Sequence, residues 1–118
     1  MRIEGQKGKK IFEDKIWVDY PLPTILRFVK GRIFINKPDD YKPTFPCAVK
    51  LTFYIANVDR CDLDNLVKQI IDFLNANDFF QKDDNEVFQL EAEKRKSASS
   101  DTEHISVEIF EWIPGHFE

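Results

Sequence analysis

One amphipathic helix constrains the fold of this chain more than any other feature of its sequence. Its apolar residues recur at helical spacing and form a single stripe, made of Leu63, Leu66, Val67, Ile70, Ile71 and Leu74. Asp62 or Asp64 can cap its start, where exposed backbone N–H groups attract an anion. Asn75 or Asn77 can take the left-handed turn that ends it. The pattern predicts one long helix whose apolar face packs on another layer.

Strand patterns lie on both sides of this helix. Residues 48–58 alternate, and the apolar face holds Val49, Leu51, Phe53 and Ile55. Residues 15–20 also predict a strand, and residues 25–35 predict a hairpin. After the helix, residues 86–95 and 103–112 predict a second hairpin around a polar loop. Together these elements predict an α+β fold, with a mostly antiparallel sheet of four to six strands packed by one long helix.

Two further segments carry no such pattern. Residues 36–46 contain three prolines, which predicts a loop. Residues 1–14 are polar and rich in lysine, with Gly5 and Gly8, which predicts a flexible basic tail; a DNA-contacting arm is the alternative. At 118 residues the chain suits one domain, spanning 1–118.

Composition excludes several protein classes. No apolar run approaches the ~18 residues of a transmembrane helix, and the N-terminus lacks the apolar core of a secretory signal. Cys47 and Cys61 are isolated, which indicates reduced thiols in a cytoplasmic protein. The net charge of −4 argues against a protein that coats nucleic acid nonspecifically. That charge divides unevenly, into +5 over 1–58 (11 basic, 6 acidic), −7 over 59–93 (3 and 10) and −2 over 94–118 (3 and 5).

Aspartates flank the predicted helix. Asp62 and Asp64 lie where the preceding strand ends and the helix begins. In an extended backbone, side chains at positions i and i+2 lie on the same face, so both carboxylates point to one side. Asp83 and Asp84 stand at the start of the next strand, so we expect a strand end, a helix start and a neighbouring strand end to meet in one corner. Three carboxylates there repel one another, so their pKa values must rise or a cation must join them. Helix capping and a solvated acidic loop explain the same aspartates without chemistry.

Hard oxygen ligands in this number suit Mg²⁺ or Mn²⁺. Such a metal polarises a phosphodiester and lowers the pKa of a bound water, which are the two needs of phosphoryl hydrolysis. Lys68 follows Asp64 by one helical turn and can stabilise charge that develops on the phosphate. The alternative for Lys68 is an i,i+4 ion pair worth ~0.3–0.5 kcal/mol.

Two segments of the chain resemble the signature of the RusA family of Holliday junction resolvases. The family pattern is RxDLDNxxK followed, after about fifteen residues of helix and turn, by DDxxV. Residues 60–68 read RCDLDNLVK and residues 83–87 read DDNEV. A weaker similarity extends to the YPLP segment at residues 20–23, to Lys30-Gly31-Arg32 and to Lys94.

The resemblance implies a small homodimeric endonuclease that depends on Mg²⁺, with Mn²⁺ as a substitute, and nicks four-way DNA junctions symmetrically in DNA recombination and repair. Such proteins are often encoded by prophages. Their metal-binding aspartates map onto Asp62, Asp64 and Asp84, and their catalytic lysine onto Lys68. Asp84 is favoured over Asp83 because neighbouring residues of a strand face opposite ways.

The resemblance also suggests DNA contacts. Asn65 is expected to orient the site or contact DNA, the alternative being a local backbone bond in the first helical turn. Arg32, Arg60 and Lys94 are candidate phosphate contacts, and solvated surface charges are the alternative for each.

The chain departs from the family pattern in its N-terminal half. The proline-rich loop at 36–46 stands where the family has a helix of some fifteen residues, and residues 21–23 lack the usual Pro-Pro-Ser/Thr-x-Asn sequence.

Three functions follow: a Holliday junction endonuclease, a catalytically retired module that binds DNA or protein, and a metal-dependent hydrolase of a small phosphodiester. The first is the leading hypothesis, with branched DNA and a second copy of the chain as partners and no membrane.

Overall fold

The computed structural model describes residues 5–18, 33–34, 36–56, 62–98 and 103–115. They form five strands and one α-helix: β1 Gln6–Val18, β2 Ile33–Phe34, β3 Cys47–Ile55, α1 Leu63–Ala76, β4 Val87–Lys96 and β5 His104–Ile113. A 3-10 turn at Asp84–Glu86 leads into β4. The helix in the described part of the chain is too short and too polar to span a membrane.

The strands form one sheet in the order β2-β1-β5-β3-β4. Three of the four strand pairs are antiparallel, and β3 with β4 is the parallel pair. The predicted α+β class, with a mostly antiparallel sheet and one helix, is confirmed. The parallel pair follows from α1, which returns the chain to the starting end of β3 before β4 begins.

One face of the sheet packs on α1. The alternation predicted for β3 is confirmed, because Leu51, Phe53 and Ile55 are fully buried. From the helix, the predicted stripe supplies Leu66, Ile70 and Leu74, also fully buried. Burial of side chains of this size contributes roughly 1.5–3 kcal/mol each, so this layer fixes where α1 lies on the sheet.

Asp62 caps α1, as predicted. Its backbone is extended and its side chain accepts the N–H of Asp64. The predicted left-handed asparagine at the other end is wrong, because Asn77 has φ −107° and Asp78 takes the left-handed turn with φ 62°. The N–H of Phe79 bonds the Leu74 carbonyl at 3.0 Å, which closes the helix in a Schellman arrangement.

The predicted flexible tail at 1–14 is wrong over the residues described, since β1 begins at Gln6 and pairs along β5. The buried side chain of Phe12 anchors this segment in the core. Gly5 gives no freedom here but permits a close approach, because a Cβ at this position would lie 2.5 Å from the Trp112 ring. The β1–β5 register shifts between Lys7 and Phe12. Such irregularities interrupt the alternation of apolar and polar residues by which a strand is predicted from sequence.

The predicted second hairpin is also wrong. Its strands exist, as β4 and β5, but β3 lies between them and pairs with both. In the five-stranded order β5 is the central strand, and β3 lies between it and the edge strand β4. The first predicted hairpin, at residues 25–35, lies outside the described residues except for β2. The predicted loop at 36–46 is confirmed, and its Tyr41 hydroxyl donates to the Phe79 carbonyl at 2.7 Å.

Candidate active site

The start of α1 holds an ordered pair of acidic side chains. Asp62 accepts the N–H of Asp64 through Oδ1 at 3.1 Å. Its other oxygen, Oδ2, accepts the side-chain amide of Asn65 at 3.3 Å. A carboxylate offers about four lone-pair directions, so Asp62 is held in place and keeps acceptor capacity for a cation.

Asn65 therefore bonds a side chain and not the backbone. This excludes the local backbone bond as its principal contact and leaves it in a position to orient Asp62. Asp64 is exposed in the first turn of the helix, where the partial positive charge of the N-terminus favours a carboxylate.

Lys68 lies one turn after Asp64 on the exposed side of α1. Helical side chains tilt towards the N-terminus, which directs the ammonium group of Lys68 towards the acidic end of the helix. Within the described chain Lys68 forms no salt bridge, so the i,i+4 ion pair with Asp64 is not made.

A second ordered acidic segment precedes β4. The Glu86 carboxylate is buried and accepts the backbone N–H of Gln81 at 2.7 Å, of Lys82, and of Asp83 at 3.4 Å. Asp83 in turn caps the 3-10 turn by accepting the Asn85 N–H at 2.9 Å. Together these bonds fix the backbone on both sides of Asp84.

Capping, and not strand alternation, distinguishes Asp83 from Asp84. Both residues precede the strand instead of beginning it. The Asp83 carboxylate accepts a backbone N–H, whereas the Asp84 side chain is exposed and its carboxylate bonds no other described residue. Sequence reasoning missed Glu86 as the anchor. The signal was present, because an acid followed three residues later by glutamate is a capping box, which is the arrangement found at Asp83 and Glu86.

The two acidic segments lie at opposite ends of the sheet. Register places Val87 beside Cys47 and Lys96 beside Ile55, so Asp84 lies at the starting end of β3. Asp62 follows the far end of β3, and the 14-residue helix that separates them is about 21 Å long at 1.5 Å per residue.

The expectation that the aspartates meet in one corner is therefore wrong within a single chain. The described residues contain no group of three His, Cys, Asp or Glu side chains placed to hold a metal ion. Asp62 and Asp64 are brought together, and Asp84 is not.

The end of the sheet near Asp62 is also basic. It carries Lys94, Arg95 and Lys96, the last residues of β4. Lys94 is half-buried and lies on the helix side, since it pairs with the buried Phe53. Arg95 bonds Glu93 at 2.9 Å. Arg32 and Arg60, the other predicted phosphate contacts, lie outside the described residues.

A buried acid that sequence reasoning missed supports this same end. Glu103 is 2% exposed and accepts the N–H of Ala56 at 2.8 Å. The Lys96 ammonium group donates to the Ala56 carbonyl at 3.3 Å. On the opposite face of the sheet, Tyr54 stacks on His104 with ring centroids 4.4 Å apart. These contacts hold the chain where it leaves β3 towards Asp62.

The buried cysteine is not a candidate nucleophile. Burial, assisted by the nearby charge of Glu86, raises the pKa of the Cys47 thiol to about 11. At neutral pH the thiol is protonated, and the reactive form of cysteine is the thiolate.

Comparison with known proteins agrees with the acidic motif. A model of one protein family, described as Endodeoxyribonuclease RusA, matches residues 9–109. The matched range contains every candidate site residue: Arg32, Arg60, Asp62, Asp64, Asn65, Lys68, Asp84 and Lys94. No curated protein and no solved structure gives a match.

Proposed function

The chain belongs to the RusA family of endodeoxyribonucleases, and we propose that it is a Mg²⁺-dependent, structure-selective endonuclease that resolves Holliday junctions by paired hydrolysis of phosphodiesters. The observation that carries this proposal is the start of α1, where Asn65 orients the Asp62 carboxylate beside an exposed Asp64. Acting on cellular DNA, the protein would work in the cytoplasm.

The proposed metal ligands are Asp62, Asp64 and Asp84. All are carboxylates, the hard oxygen donors that Mg²⁺ prefers and Mn²⁺ also accepts. The ion would polarise the scissile phosphate and lower the pKa of a bound water. Lys68 would place its ammonium charge where negative charge develops on the phosphate. Asn65 would hold Asp62 in its ligating orientation.

The opposite positions of Asp62 and Asp84 support a homodimer with shared sites. A partner chain that runs antiparallel to the first brings its own Asp62 end beside the Asp84 end of its neighbour. Two-fold symmetry then forms two identical sites, each with Asp62 and Asp64 from one chain and Asp84 from the other. Two equivalent sites suit a substrate in which two equivalent strands are cut.

DNA binding is proposed for Arg32, Arg60, Asn65 and Lys94. Phosphate contacts by basic side chains give affinity and position without sequence information. Residues 1–58 carry 11 basic and 6 acidic side chains, a balance of +5. The acidic segment that follows would be partly neutralised by divalent cations, so we expect DNA affinity to rise when Mg²⁺ is present.

Cleavage of a synthetic four-way junction tests the proposal. We expect paired nicks with Mg²⁺ or Mn²⁺, and loss of more than about 100-fold in rate for Asp64→Asn because the charge that organises the ion is removed. The matched control is Asp72→Asn, another exposed aspartate of α1, further along the helix. Cleavage that persists in EDTA, or equal rates for the two variants, would contradict the proposal.

A further inference from the structure

We infer that Glu103 is a positioning residue of the proposed metal site, because it fixes the chain at the point from which that chain runs to Asp62 and Asp64. This inference rests on the proposed function for the use that the position serves. Its structural grounds are the burial of Glu103, the backbone group that it holds and the order of the strands around it.

Glu103 is a buried acid outside the proposed set of metal ligands. It is 2% exposed, and one carboxylate oxygen accepts the backbone N–H of Ala56 at 2.8 Å. Removal of a carboxylate from water is costly unless hydrogen bonds compensate for it. A hydrogen bond to a charged acceptor is also about twice as strong as a neutral one. The N–H of Ala56 is therefore held more firmly than an amide that bonds a neutral acceptor.

The order of the strands explains why Glu103 reaches this N–H group. β4 ends and β5 begins at the end of the sheet where β3 also ends, and β3 lies between them. Residues 97–103 therefore link strands on the two sides of β3. Both ends of this connection bond the end of β3, since Ser97 donates its backbone N–H to the Ile55 carbonyl at 3.0 Å and Glu103 accepts that of Ala56.

Ala56 is held through both of its backbone polar groups. Its N–H bonds Glu103, and its carbonyl accepts the Lys96 ammonium group at 3.3 Å. A carboxylate from the β5 side and an ammonium group from the β4 side thus hold the same residue, and both bonds are charge-assisted. Ala56 is the last described residue before Asp62, so the chain that leads to the acidic pair starts from a fixed position.

The first turn of α1 depends on such support because it contributes little to the core. Leu66 is the first fully buried residue of the helix, whereas residues 63–65 are exposed or half-buried. Core packing therefore fixes the helix from Leu66 onwards. Asp62 and Asp64 precede that residue, so their position also depends on the direction in which the chain arrives from Ala56.

Metal affinity responds to support of this kind. Residues that orient metal ligands without touching the ion typically change its affinity by about 10–100-fold when they are replaced. A ligand set that is already held in place loses less conformational freedom on binding, which is the reason for this sensitivity. Glu103 acts through the chain and not on a ligand directly, so we expect the lower end of that range.

Titration of the full chain with Mn²⁺, followed by EPR, tests this role without a cleavage measurement. Glu103→Met has no acceptor oxygen and should bind Mn²⁺ about 10-fold more weakly than wild type. Glu103→Gln loses the same charge but keeps an acceptor for the Ala56 N–H, so it should stay within about threefold of wild type. Equal weakening in the two variants would assign the effect to charge and overturn the positioning role.

Amide hydrogen exchange measured by NMR separates local support from overall stability. In Glu103→Met the N–H of Ala56 should exchange at least about 10-fold faster than in wild type. The matched control is Ile109→Val, which removes a methyl group from a fully buried residue of the central strand and lowers overall stability. It should leave the Mn²⁺ affinity and the exchange of Ala56 unchanged. Unchanged exchange of Ala56 in Glu103→Met would contradict the inference.

A second variant keeps the test decisive if Glu103→Met does not fold. Glu103→Asp retains the charge but is one methylene too short to reach the Ala56 N–H, so it too should bind Mn²⁺ more weakly than Glu103→Gln. Wild type that cuts junctions, with Mn²⁺ affinity equal in all Glu103 variants, would overturn this inference alone. Mn²⁺ binding that depends on Glu103 in a protein that cuts no junction would support the inference and remove the proposed function. A wild type that binds no Mn²⁺ would overturn both.

Discussion

At the scale of single residues, carboxylates in this chain divide by what they bond. The carboxylates of Asp83 and Glu86 accept backbone N–H groups of the same turn, while Asp64 and Asp84 are exposed. Asp62 does both, because it accepts the Asp64 N–H and keeps acceptor capacity for a cation. Sequence reasoning identified the acidic positions and the capping role of Asp62, but the division between Asp83 and Asp84 depends on the three-dimensional turn.

Replacement of Glu86 by glutamine tests its anchoring role. One accepting oxygen becomes an N–H₂ group that faces backbone N–H donors, and a buried donor without an acceptor costs about 1–3 kcal/mol. We expect Glu86→Gln to lose about that much free energy of unfolding in urea, with an unchanged slope. The control is Asp84→Asn, at an exposed residue in the same turn, which should stay within about 0.5 kcal/mol of wild type. Equal effects in the two variants would contradict the assignment.

Replacement of Asp78 by glycine tests the helix end. Asp78 has φ 62°, a left-handed conformation that costs an L-residue roughly 1–2 kcal/mol and glycine almost nothing. We expect Asp78→Gly to be more stable than wild type by up to about 1 kcal/mol, measured by thermal and urea unfolding. Asp78→Ala should be less stable than wild type, because alanine tolerates the left-handed region less well than aspartate does. A destabilised glycine variant would be inconsistent with this helix end.

At the scale of secondary structure, the sequence predicts where the helix and the strands form better than it predicts which strands pair with each other. Periodicity identified α1, β3, β4 and β5 because a buried face repeats every 3.6 or 2 residues. Pairing is a different property, and sequential strands are neighbours only about two-thirds of the time. Here β3 separates β4 from β5, and the register shifts in β1 hid a strand that the rest of the sheet requires.

One ion pair spans the open face of the sheet and gives a pH-dependent prediction. The Lys7 ammonium group bonds Glu91 at 2.7 Å and lies over the Phe110 ring. This contact lowers the pKa of Glu91 below its ordinary value of 4.5. The pair favours the charged carboxylate, so its stabilising effect is present above pH 4.5 and is lost as pH falls through the lowered pKa.

A carboxyl titration by NMR checks this pair. In Lys7→Met we expect the pKa of Glu91 to return towards 4.5, the ordinary value. Lys9→Met is the control, since this neighbouring lysine does not contact Glu91. An unchanged pKa of Glu91 in Lys7→Met would show that the lysine contact is not its cause.

At the scale of the whole molecule, the acidic motif is divided between two ends of one sheet. The sequence indicates the residues that are proposed to carry the chemistry, because residues 60–68 and 83–87 keep the spacing of the family signature. It does not show that α1 separates the two parts, since residues near in sequence can be carried apart by the length of a helix. The fold therefore makes dimerisation a condition of the proposed metal site.

Subunit complementation tests this central claim most directly. Asp64→Asn and Asp84→Asn should each be inactive on a four-way junction, but refolded together in equal amounts they form mixed dimers that hold one intact shared site. We predict recovery of about a quarter of the wild-type sites, seen as single nicks, and no recovery when Asp62→Asn is mixed with Asp64→Asn. Mixed dimers verified by mass spectrometry that remain inactive would contradict the shared site.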